Sequence, residues 1–252
     1  MDITLGCSIE MLRTQAAYRT YPVINIENPL YPGYLDQDHV PDMQYLQDEI
    51  SQRIILDGPY IDLNLGSPEP KARHLAREKV LEAITFARHC HAEEIIFLST
   101  FLPWIGLASY ERGWIEESIR SWRIISDYES VIRLSLCNTF EYTPANLLEI
   151  VETINRPNLG LAWDIGHCIV WGQIPVIEWY RQIRERCRTV YLHSNHGTSD
   201  DHLSIQTGKI VELDILQRLS TELNEENILI LKYFDAASLA SDITYARSIF
   251  AR

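Results

Sequence analysis

The residues with the clearest potential for chemistry are histidines and acidic residues in two short segments. In the segment WDIGH, His167 follows Asp164 by three positions. The segment HSNHGTSDDH begins at His193 and also contains Asp200 and His202. A single histidine is most often structural, but each of these three has an acidic residue a few positions away. Imidazole nitrogens and carboxylate oxygens together are the usual ligands of zinc and similar divalent ions, so the pattern favours a metal site.

Three further residues with reactive side chains follow other apolar runs, and these are Asp57, Cys137 and Lys232. Two interpretations of Cys137 stand side by side. It is either a nucleophile or soft metal ligand activated by Lys232, or a small buried apolar residue, which is the commoner state of a free cysteine. Lys232 is likewise either an ion-pair partner or, in a desolvated pocket, an amine that forms a Schiff base.

All of these residues lie at or just after short apolar runs that alternate with helical patterns. Several runs lack a strict alternation of apolar and polar residues, as parallel strands covered on both faces do. The predicted strands are 3–9, 23–26, 54–56, 94–98, 131–136, 159–163, 189–193 and 228–233. The predicted helices are 42–53, 70–91, 114–128, 144–155, 174–186, 212–224 and 238–250, and residues 10–22 are ambiguous.

About eight strand–helix units in 252 residues predict an α/β fold, a single (βα)8 TIM barrel spanning residues 1–252. A doubly wound open sheet is the alternative. It is disfavoured because the first strand ends in Cys7-Ser8-Ile9 and not in the G-x-G-x-x-G of a dinucleotide-binding fold. Barrel enzymes carry their chemistry where strands end and the following loops begin. The barrel therefore predicts that the acidic residues and histidines meet at one rim.

The composition restricts the partners of the chain. Asp plus Glu number 35 and Lys plus Arg 22, which gives a formal net charge of −13. This balance disfavours nucleic acids and anionic membrane surfaces, because both attract cationic proteins. The longest uncharged stretch, 95–110, is too short for a transmembrane helix, and the N-terminus lacks the basic region of a signal peptide. Five cysteines with no C-x-x-C pair favour a reducing, cytoplasmic setting.

Six motifs give the chain a resemblance to a known family. The most specific combination is WDIGH (163–167), followed by YLHSN (191–195) and DDHL (200–203). The others are GPYIDLNLGSPEP (58–70), CNTFE (137–141) and TGKI (207–210). The chain resembles the xylose isomerase-like TIM barrels, which include sugar-phosphate isomerases and epimerases and the apurinic endonucleases. The resemblance covers about residues 54–235 and implies the same fold.

The resemblance also implies two sets of metal ligands. In the family, one ion is typically held by Glu, Asp, His and Glu after strands five to eight, and the two glutamates transfer protons in epimerases. This chain has Cys137, Asp164, His193 and Lys232 at those positions, so both glutamates are absent. A further ion of the endonuclease branch is held by His, Asp and His. That set is complete here as His167, Asp200 and His202.

Three functions are compatible with these substitutions. The leading hypothesis is a metal-dependent sugar isomerase or epimerase that acts on a small polar, sugar-like metabolite and holds at most one zinc or manganese ion. The alternative is a non-catalytic relative that binds a ligand or a partner in the same pocket. An apurinic endonuclease-type hydrolase is a distant third, disfavoured by the net charge and by Leu98 where that branch has a histidine. The chain is a candidate for forming a homo-oligomer.

The expected site residues form three groups. The metal is expected on His167, Asp200 and His202, with Asp164 and His193 close by. The expected catalytic residues are Lys232, Cys137 and Asp57, and the expected pocket residues are Asn138, Asn195, Trp163 and Trp104. A protonated lysine has no lone pair for a metal, so Lys232 is expected to replace an ion and to pair with Asp164 or Asp57.

The segment 99–112, which follows the fourth predicted strand, is unusually apolar for the rim of a barrel. Five large apolar residues stand between Phe101 and Leu107. Such a patch is expected to be covered. The cover is a ligand beneath a lid, a second subunit, or the chain's own barrel if the segment begins a helix.

Overall fold

Eight parallel strands close into a barrel in the computed structural model, which describes residues 1–27, 40–233 and 239–250. Each strand pairs with the next, and the eighth closes on the first with Asp2 opposite Ile228. This arrangement confirms the predicted (βα)8 barrel and excludes the open sheet. The strands are β1 (Asp2–Cys7), β2 (Val23–Ile26), β3 (Arg53–Asp57), β4 (Glu94–Leu98), β5 (Arg133–Cys137), β6 (Leu159–Asp164), β7 (Cys187–Leu192) and β8 (Ile228–Leu231).

Helices follow the strands and surround the barrel. In the described part of the chain they are α1 (Ile9–Thr14), α2 (Val40–Glu49), α3 (Pro70–His89), α4 (Ala108–Tyr128), α5 (Ala145–Ile154), α6 (Ile165–Trp171), α7 (Val176–Ile183), α8 (Gly208–Glu212), α9 (Ile215–Ser220) and α10 (Leu239–Phe250). The ambiguous segment 10–22 contains most of α1 and a short 3₁₀ helix, Ala16–Thr20. None of these described helices has both the length and the apolar character needed to cross a membrane.

Two helical predictions need correction. The predicted helix 212–224 contains only the last residue of α8 and the whole of α9, because Asp214 between the two helices adopts a left-handed backbone with φ of 52°. Helix α6 was not predicted at all. It begins directly after β6, and the Asp164 side chain caps it by accepting a hydrogen bond from the His167 backbone N–H at 2.9 Å. The WDIGH motif is therefore a strand end joined to a capped helix.

The interior of the barrel is apolar in the middle and polar at its amino end. Eight buried residues fill the middle, and these are Val23, Ile55, Ile96, Cys137, Ala162, Tyr191, Ile228 and Ile230. At the amino end, the buried carboxylate of Glu94 accepts hydrogen bonds from Ser135 Oγ at 2.5 Å and Thr189 Oγ1 at 2.7 Å. A larger apolar core lies between the strands and the helices. The filled interior leaves the carboxyl end of the barrel as the place for a cavity.

The apolar segment after β4 is only partly covered. Phe101 is buried and packs on Tyr110 and Trp114, with ring centroids 5.7 and 4.9 Å away. This contact matches the alternative in which the segment packs on its own barrel as α4 begins. Trp104 and Leu107, in contrast, remain 57% and 61% exposed, so the chain's own barrel does not cover these two residues, and their cover by a ligand or a second subunit stays a prediction.

Two glycine substitutions should have opposite effects on stability. A Cβ on Gly166, in the first turn of α6, would lie 1.9 Å from Cε1 of the buried His193 ring. We expect Gly166→Ala to destabilise the fold by about 1–3 kcal/mol, because the ring or the helix must move. A Cβ on Gly113, within α4, meets nothing within 4 Å. Gly113→Ala should therefore stabilise by about 0.5–1 kcal/mol, and thermal unfolding measures both. Equal melting temperatures for the two variants would contradict the close packing of α6 on His193.

Candidate functional site

A cavity of about 310 Å³ opens at the carboxyl ends of the strands. Residues that follow six different strands contribute to its walls. Among the described residues, the lining comprises Glu27, Asp57, Gly58, Tyr60, Ile96, Leu98, Thr139, Phe140, Asp164, His167, Trp171, Tyr191, Asp200, His202, Lys232 and Tyr233. The cavity has a histidine-rich side, built after β6 and β7, and a side built around Lys232.

Three histidines converge on one carboxylate on the histidine-rich side. The potential ligand atoms of His167, His193, Asp200 and His202 all lie within 4.8 Å of one another. His202 Nε2 and His167 Nε2 lie 3.1 and 3.3 Å from Asp200 Oδ2, and His193 Nδ1 lies 3.7 Å from Asp200 Oδ1. The His193 and His202 rings are stacked, with centroids 3.9 Å apart. The expected convergence of His167, Asp200 and His202 is thus present, with His193 as a fourth member.

Each of the three imidazole rings directs one nitrogen, here called the outer nitrogen, away from Asp200 and toward a hydrogen-bond acceptor. His167 Nδ1 lies 2.8 Å from the backbone oxygen of Asn138, and His202 Nδ1 lies 3.1 Å from the backbone oxygen of Lys232. His193 Nε2 lies 2.8 Å from Asp164 Oδ1. The outer nitrogen of each ring therefore carries a proton, and the nitrogen that faces Asp200 is the one able to offer a lone pair.

Two atoms at the centre of this cluster lack hydrogen bonds. His193 Nδ1 and Asp200 Oδ1 are buried and have no hydrogen-bond partner among the described residues. Buried polar atoms are nearly always paired, so such a facing pair requires an explanation. A cation between the two atoms would satisfy both.

The backbone around the cluster is fixed by buried amides. Asn138 binds the backbone of Asp164 twice, through its Nδ2 at 2.9 Å and its Oδ1 at 2.8 Å. Asn195 Nδ2 donates to the backbone oxygen of Gly166 at 2.8 Å. Neither amide lines the cavity, so the expectation that they are pocket residues is wrong. They hold the loops that carry the histidines, because each is buried and forms hydrogen bonds to the backbone of those loops.

The charges of the cluster depend on one another. Burial alone would raise the pKa of Asp164, but the adjacent His167 and His193 lower it below its usual range. Burial acts against the charged form of Asp200, but the adjacent His167 and His202 favour it, so the pKa of Asp200 is lowered as well. Burial lowers the pKa of His193. Burial also acts against protonated His167, but Asp164 and Asp200 raise its pKa to about 9. Without a cation, the cluster therefore holds a proton on His167.

Lys232 forms a second side of the cavity together with Asp57. Its Nζ lies 2.7 Å from Asp57 Oδ2 and 4.4 Å from the centroid of the Tyr191 ring. Asp57 also accepts hydrogen bonds from Tyr191 Oη and, at 2.9 Å, from Asn25 Nδ2. Burial lowers the pKa of Lys232, but Asp57 and Glu27 outweigh it and raise the pKa above its usual value. The expected pairing of Lys232 with Asp57 is observed, and the lysine stays charged at neutral pH.

Glu27 is a cavity residue that the expected site did not include. It follows β2, and its side chain lies over Gly6, where an added Cβ would come within 1.9 Å of Glu27 Oε1. Oε1 is buried and has no hydrogen-bond partner among the described residues. Burial raises the pKa of Glu27 to about 7, although Lys232 acts to lower it. The one available signal was its position as the first polar residue after the second strand.

Three other expected site residues lie away from the cavity. Cys137 is fully buried inside the barrel, and burial raises the pKa of its thiol well above the usual value, so a catalytic thiolate is contradicted. Trp163 is fully buried and stacks on Tyr180 at 5.3 Å between centroids, so it belongs to the core. Trp104 does not line the cavity. It contacts Phe140, a wall residue, at 4.8 Å between centroids.

Comparisons with known proteins agree with this architecture. A model of the xylose isomerase-like TIM barrel matches residues 23–249. An uncharacterized protein of Methanocaldococcus jannaschii is 28% identical over 195 residues, covering 74% of this chain and 66% of the relative. The match thus spans just under two thirds of that relative's length.

Two solved structures share the whole fold. A D-tagatose 3-epimerase-like protein has a TM-score of 0.76 at 23% identity, covering 99% of this chain and 95% of that one. A Thermus thermophilus protein soaked with ZnCl2 has a TM-score of 0.77 at 19% identity, covering 99% of this chain and 98% of that one. With the family model matched over residues 23–249, the chain belongs to the xylose isomerase-like TIM-barrel family.

Proposed function

We propose that this protein is a metal-dependent enzyme of the sugar isomerase and epimerase type that acts on a small polar metabolite. One divalent ion is held by His167, His193, Asp200 and His202. The observation that carries the proposal is the shared orientation of the three imidazole rings. Each ring binds an acceptor with its outer nitrogen and turns its other nitrogen toward Asp200.

The donor set fits a zinc-like ion. Three neutral imidazole nitrogens and one carboxylate oxygen are ligands that zinc accepts in a four-coordinate site, and manganese tolerates the same atom types. The outer hydrogen bonds are those that usually orient metal-binding histidines. Asp164 belongs to this outer set, since it binds His193 Nε2 and caps α6. When bound, the ion would supply Lewis-acid polarisation of a substrate carbonyl or hydroxyl oxygen.

The other side of the cavity supplies a fixed positive charge. Lys232 is held by Asp57 and by the Tyr191 ring, so its ammonium group has a defined position. A preorganised cation of this kind stabilises negative charge that develops on a substrate oxygen. The cavity, at about 310 Å³, is at the small end of ligand pockets, and its walls include the aromatic residues Tyr60, Phe140 and Trp171. These features favour a compact metabolite.

The D-tagatose 3-epimerase-like neighbour and the neighbour soaked with ZnCl2 support this assignment by analogy of fold. A binding protein without catalytic activity is the competing function. It predicts ligand binding in the same cavity with no chemical conversion, so a turnover assay separates the two.

The metal assignment makes a graded prediction. Loss of an outer hydrogen-bond partner of a ligand typically lowers the metal affinity by about 10- to 100-fold. Asp200→Asn removes the central carboxylate itself, so it should weaken zinc binding by more than that. Asp164→Asn removes only an outer partner and should fall within that range. His196→Ala, an exposed histidine three residues after His193, is the matched control and should bind zinc as the wild type does. Calorimetric titration of each metal-free protein gives the affinities, and equal affinity across the series would contradict the site.

Zinc binding should also release a proton. In the metal-free protein the pKa of His167 is about 9, so its imidazole is protonated at pH 7 and must lose that proton to bind a metal. We expect about one proton to be released per ion at pH 7, and the affinity should rise with pH until about pH 9. Titration in buffers of different ionisation enthalpy measures the released proton. A binding heat that does not depend on the buffer would contradict this charge arrangement.

The enzyme assignment predicts turnover that depends on Lys232. The zinc-loaded protein is incubated with D-fructose and with D-tagatose, and products are separated by chromatography. Lys232→Gln should lower the rate by about 100- to 1,000-fold, as the loss of a preorganised charge-stabilising group does. Lys71→Gln, at an exposed lysine in α3, is the control and should leave the rate unchanged. Binding of both sugars without any product would favour the non-catalytic alternative.

A further inference from the structure

Four carboxylates line the cavity among the described residues, and three of them are committed to other groups. Asp57 accepts hydrogen bonds from Lys232, Tyr191 and Asn25. Asp164 accepts from the His193 ring and from the His167 backbone. Asp200 is the centre of the histidine cluster. Glu27 is the exception, because its buried Oε1 has no partner in the described part of the chain.

The position of Glu27 sets it across the cavity from the histidine cluster. It follows β2, whereas His167 follows β6, and in a closed eight-stranded barrel these two strands lie opposite each other. Lys232 follows β8 and lies between the two sides along the rim. A ligand that turns a carbonyl oxygen toward the histidine side and Lys232 therefore presents its carbon skeleton to Glu27.

We infer that Glu27 is the proton carrier of this enzyme and that it transfers a proton between adjacent carbons on one face of the substrate, so that the reaction is a 1,2-isomerisation of an uncharged sugar. This inference rests on the proposed function and deepens it. It assigns the proton transfer to a residue that follows β2, and not to the positions after strands five and eight where the resemblance implies glutamates.

The proton transfer balances without a second base. The Glu27 carboxylate takes a proton from the carbon beside the carbonyl, and the C–H pair forms a carbon–carbon double bond. The carbonyl pair moves onto its oxygen, where Lys232 stabilises the charge. Glu27 then returns the proton to the former carbonyl carbon. The hydroxyl proton of the neighbouring carbon moves to the first oxygen, and a new carbonyl forms at that neighbouring carbon.

Inversion at one carbon has a different requirement. It removes a proton on one face and returns a proton on the other, which takes a carrier on each side of the substrate. The committed carboxylates of the cavity offer no second carrier among the described residues, and Lys232 is a charged ion-pair partner. The acid–base properties of Glu27 agree with a single carrier, since a carboxyl with a pKa of about 7 both accepts and donates protons at neutral pH.

The cavity also indicates the charge of the substrate. No arginine lines it in the described residues, and its one lysine is already paired with Asp57. A phosphate or carboxylate group would have to share that lysine and face four acidic side chains. Uncharged sugars are therefore the appropriate probes.

The experiment follows hydrogen exchange in D2O by proton NMR, with the zinc-loaded protein and dihydroxyacetone as the smallest uncharged ketose. A single carrier acts on one face of the substrate. Only one of the two hydrogens on each hydroxymethyl carbon of dihydroxyacetone should therefore be replaced by deuterium, with glyceraldehyde as the product. Glu27→Gln should slow the exchange by about 100- to 10,000-fold while zinc stoichiometry stays the same. Glu10→Gln, at an exposed glutamate in α1, is the control.

A second variant tests the position of Glu27 without altering its chemistry. Gly6→Ala places a methyl group where the Glu27 carboxyl lies, and the flexible glutamate must move. We expect slower exchange with unchanged zinc binding. Circular dichroism confirms that the barrel is intact in both variants.

The outcomes distinguish this inference from the proposed function. A protein that binds no zinc overturns the proposed function itself. A zinc-loaded protein that exchanges hydrogen equally well in the wild type and in Glu27→Gln overturns only the assignment of Glu27. Replacement of both hydrogens on a carbon overturns the single-face transfer. A zinc-loaded wild type that exchanges no hydrogen of dihydroxyacetone or D-fructose overturns the proton transfer altogether.

Discussion

The carboxylate of Asp200, surrounded by three imidazole rings, is the interaction around which the carboxyl end of this barrel is organised. Asp200 is partly buried, and taking a carboxylate out of water is costly unless opposite charge or hydrogen bonds offset its desolvation. His167, His193 and His202 supply that compensation, and each ring is in turn held from behind by Asn138, Asp164 or Lys232. These supports lie at the carboxyl ends of β5, β6 and β8, and the rings follow β6 and β7, so the cluster joins the ends of four neighbouring strands.

The same end of the barrel shows how the chain accommodates Cys137 and Lys232 at the carboxyl ends of β5 and β8, where the resemblance implies glutamates. Lys232 does not leave its position unpaired, since it forms an ion pair with Asp57 and lies over the Tyr191 ring. This ion pair puts a fixed positive charge in the place expected for an ion, and the histidine cluster remains as the one described group that fits a metal. The resulting cavity has one side whose donor atoms fit a cation and another side where Glu27 Oε1 has no hydrogen-bond partner in the described part of the chain. In this asymmetry the cavity differs from a metal centre that has two equivalent bases.

The sequence predicts the barrel well because the evidence is local and repeated. Each strand is a short apolar run, and the spacing of eight such runs leaves few other arrangements. The positions of His167, Asp200 and His202 are predicted equally well, since the strand ends of a parallel barrel meet at one rim. The first residues of the helices are predicted less well. Helix α6 is hidden in WDIGH because its start depends on the Asp164 cap and not on apolar periodicity.

The direction in which each side chain points is harder to predict than its place along the chain. Cys137 and Trp163 belong to strands that end at the rim, yet their side chains lie in the barrel interior and in the outer core. Asn138 and Asn195 are near the cavity but direct their hydrogen bonds to backbone groups. Glu27 shows the reverse case. It is one acidic residue among 35 acidic positions, and its place in the cavity wall with a buried Oε1 is evident only from the structure.

The central claim is that three imidazole nitrogens and one carboxylate oxygen hold a single ion. Diffraction from zinc-loaded crystals at wavelengths on both sides of the zinc absorption edge tests it most directly, because the anomalous signal locates zinc alone. One anomalous peak per chain is expected, about 2.0–2.2 Å from His167 Nε2, His193 Nδ1, His202 Nε2 and one oxygen of Asp200. A peak between Asp57 and Asp164, or zinc found only on surface histidines with the four side chains unchanged, would contradict it.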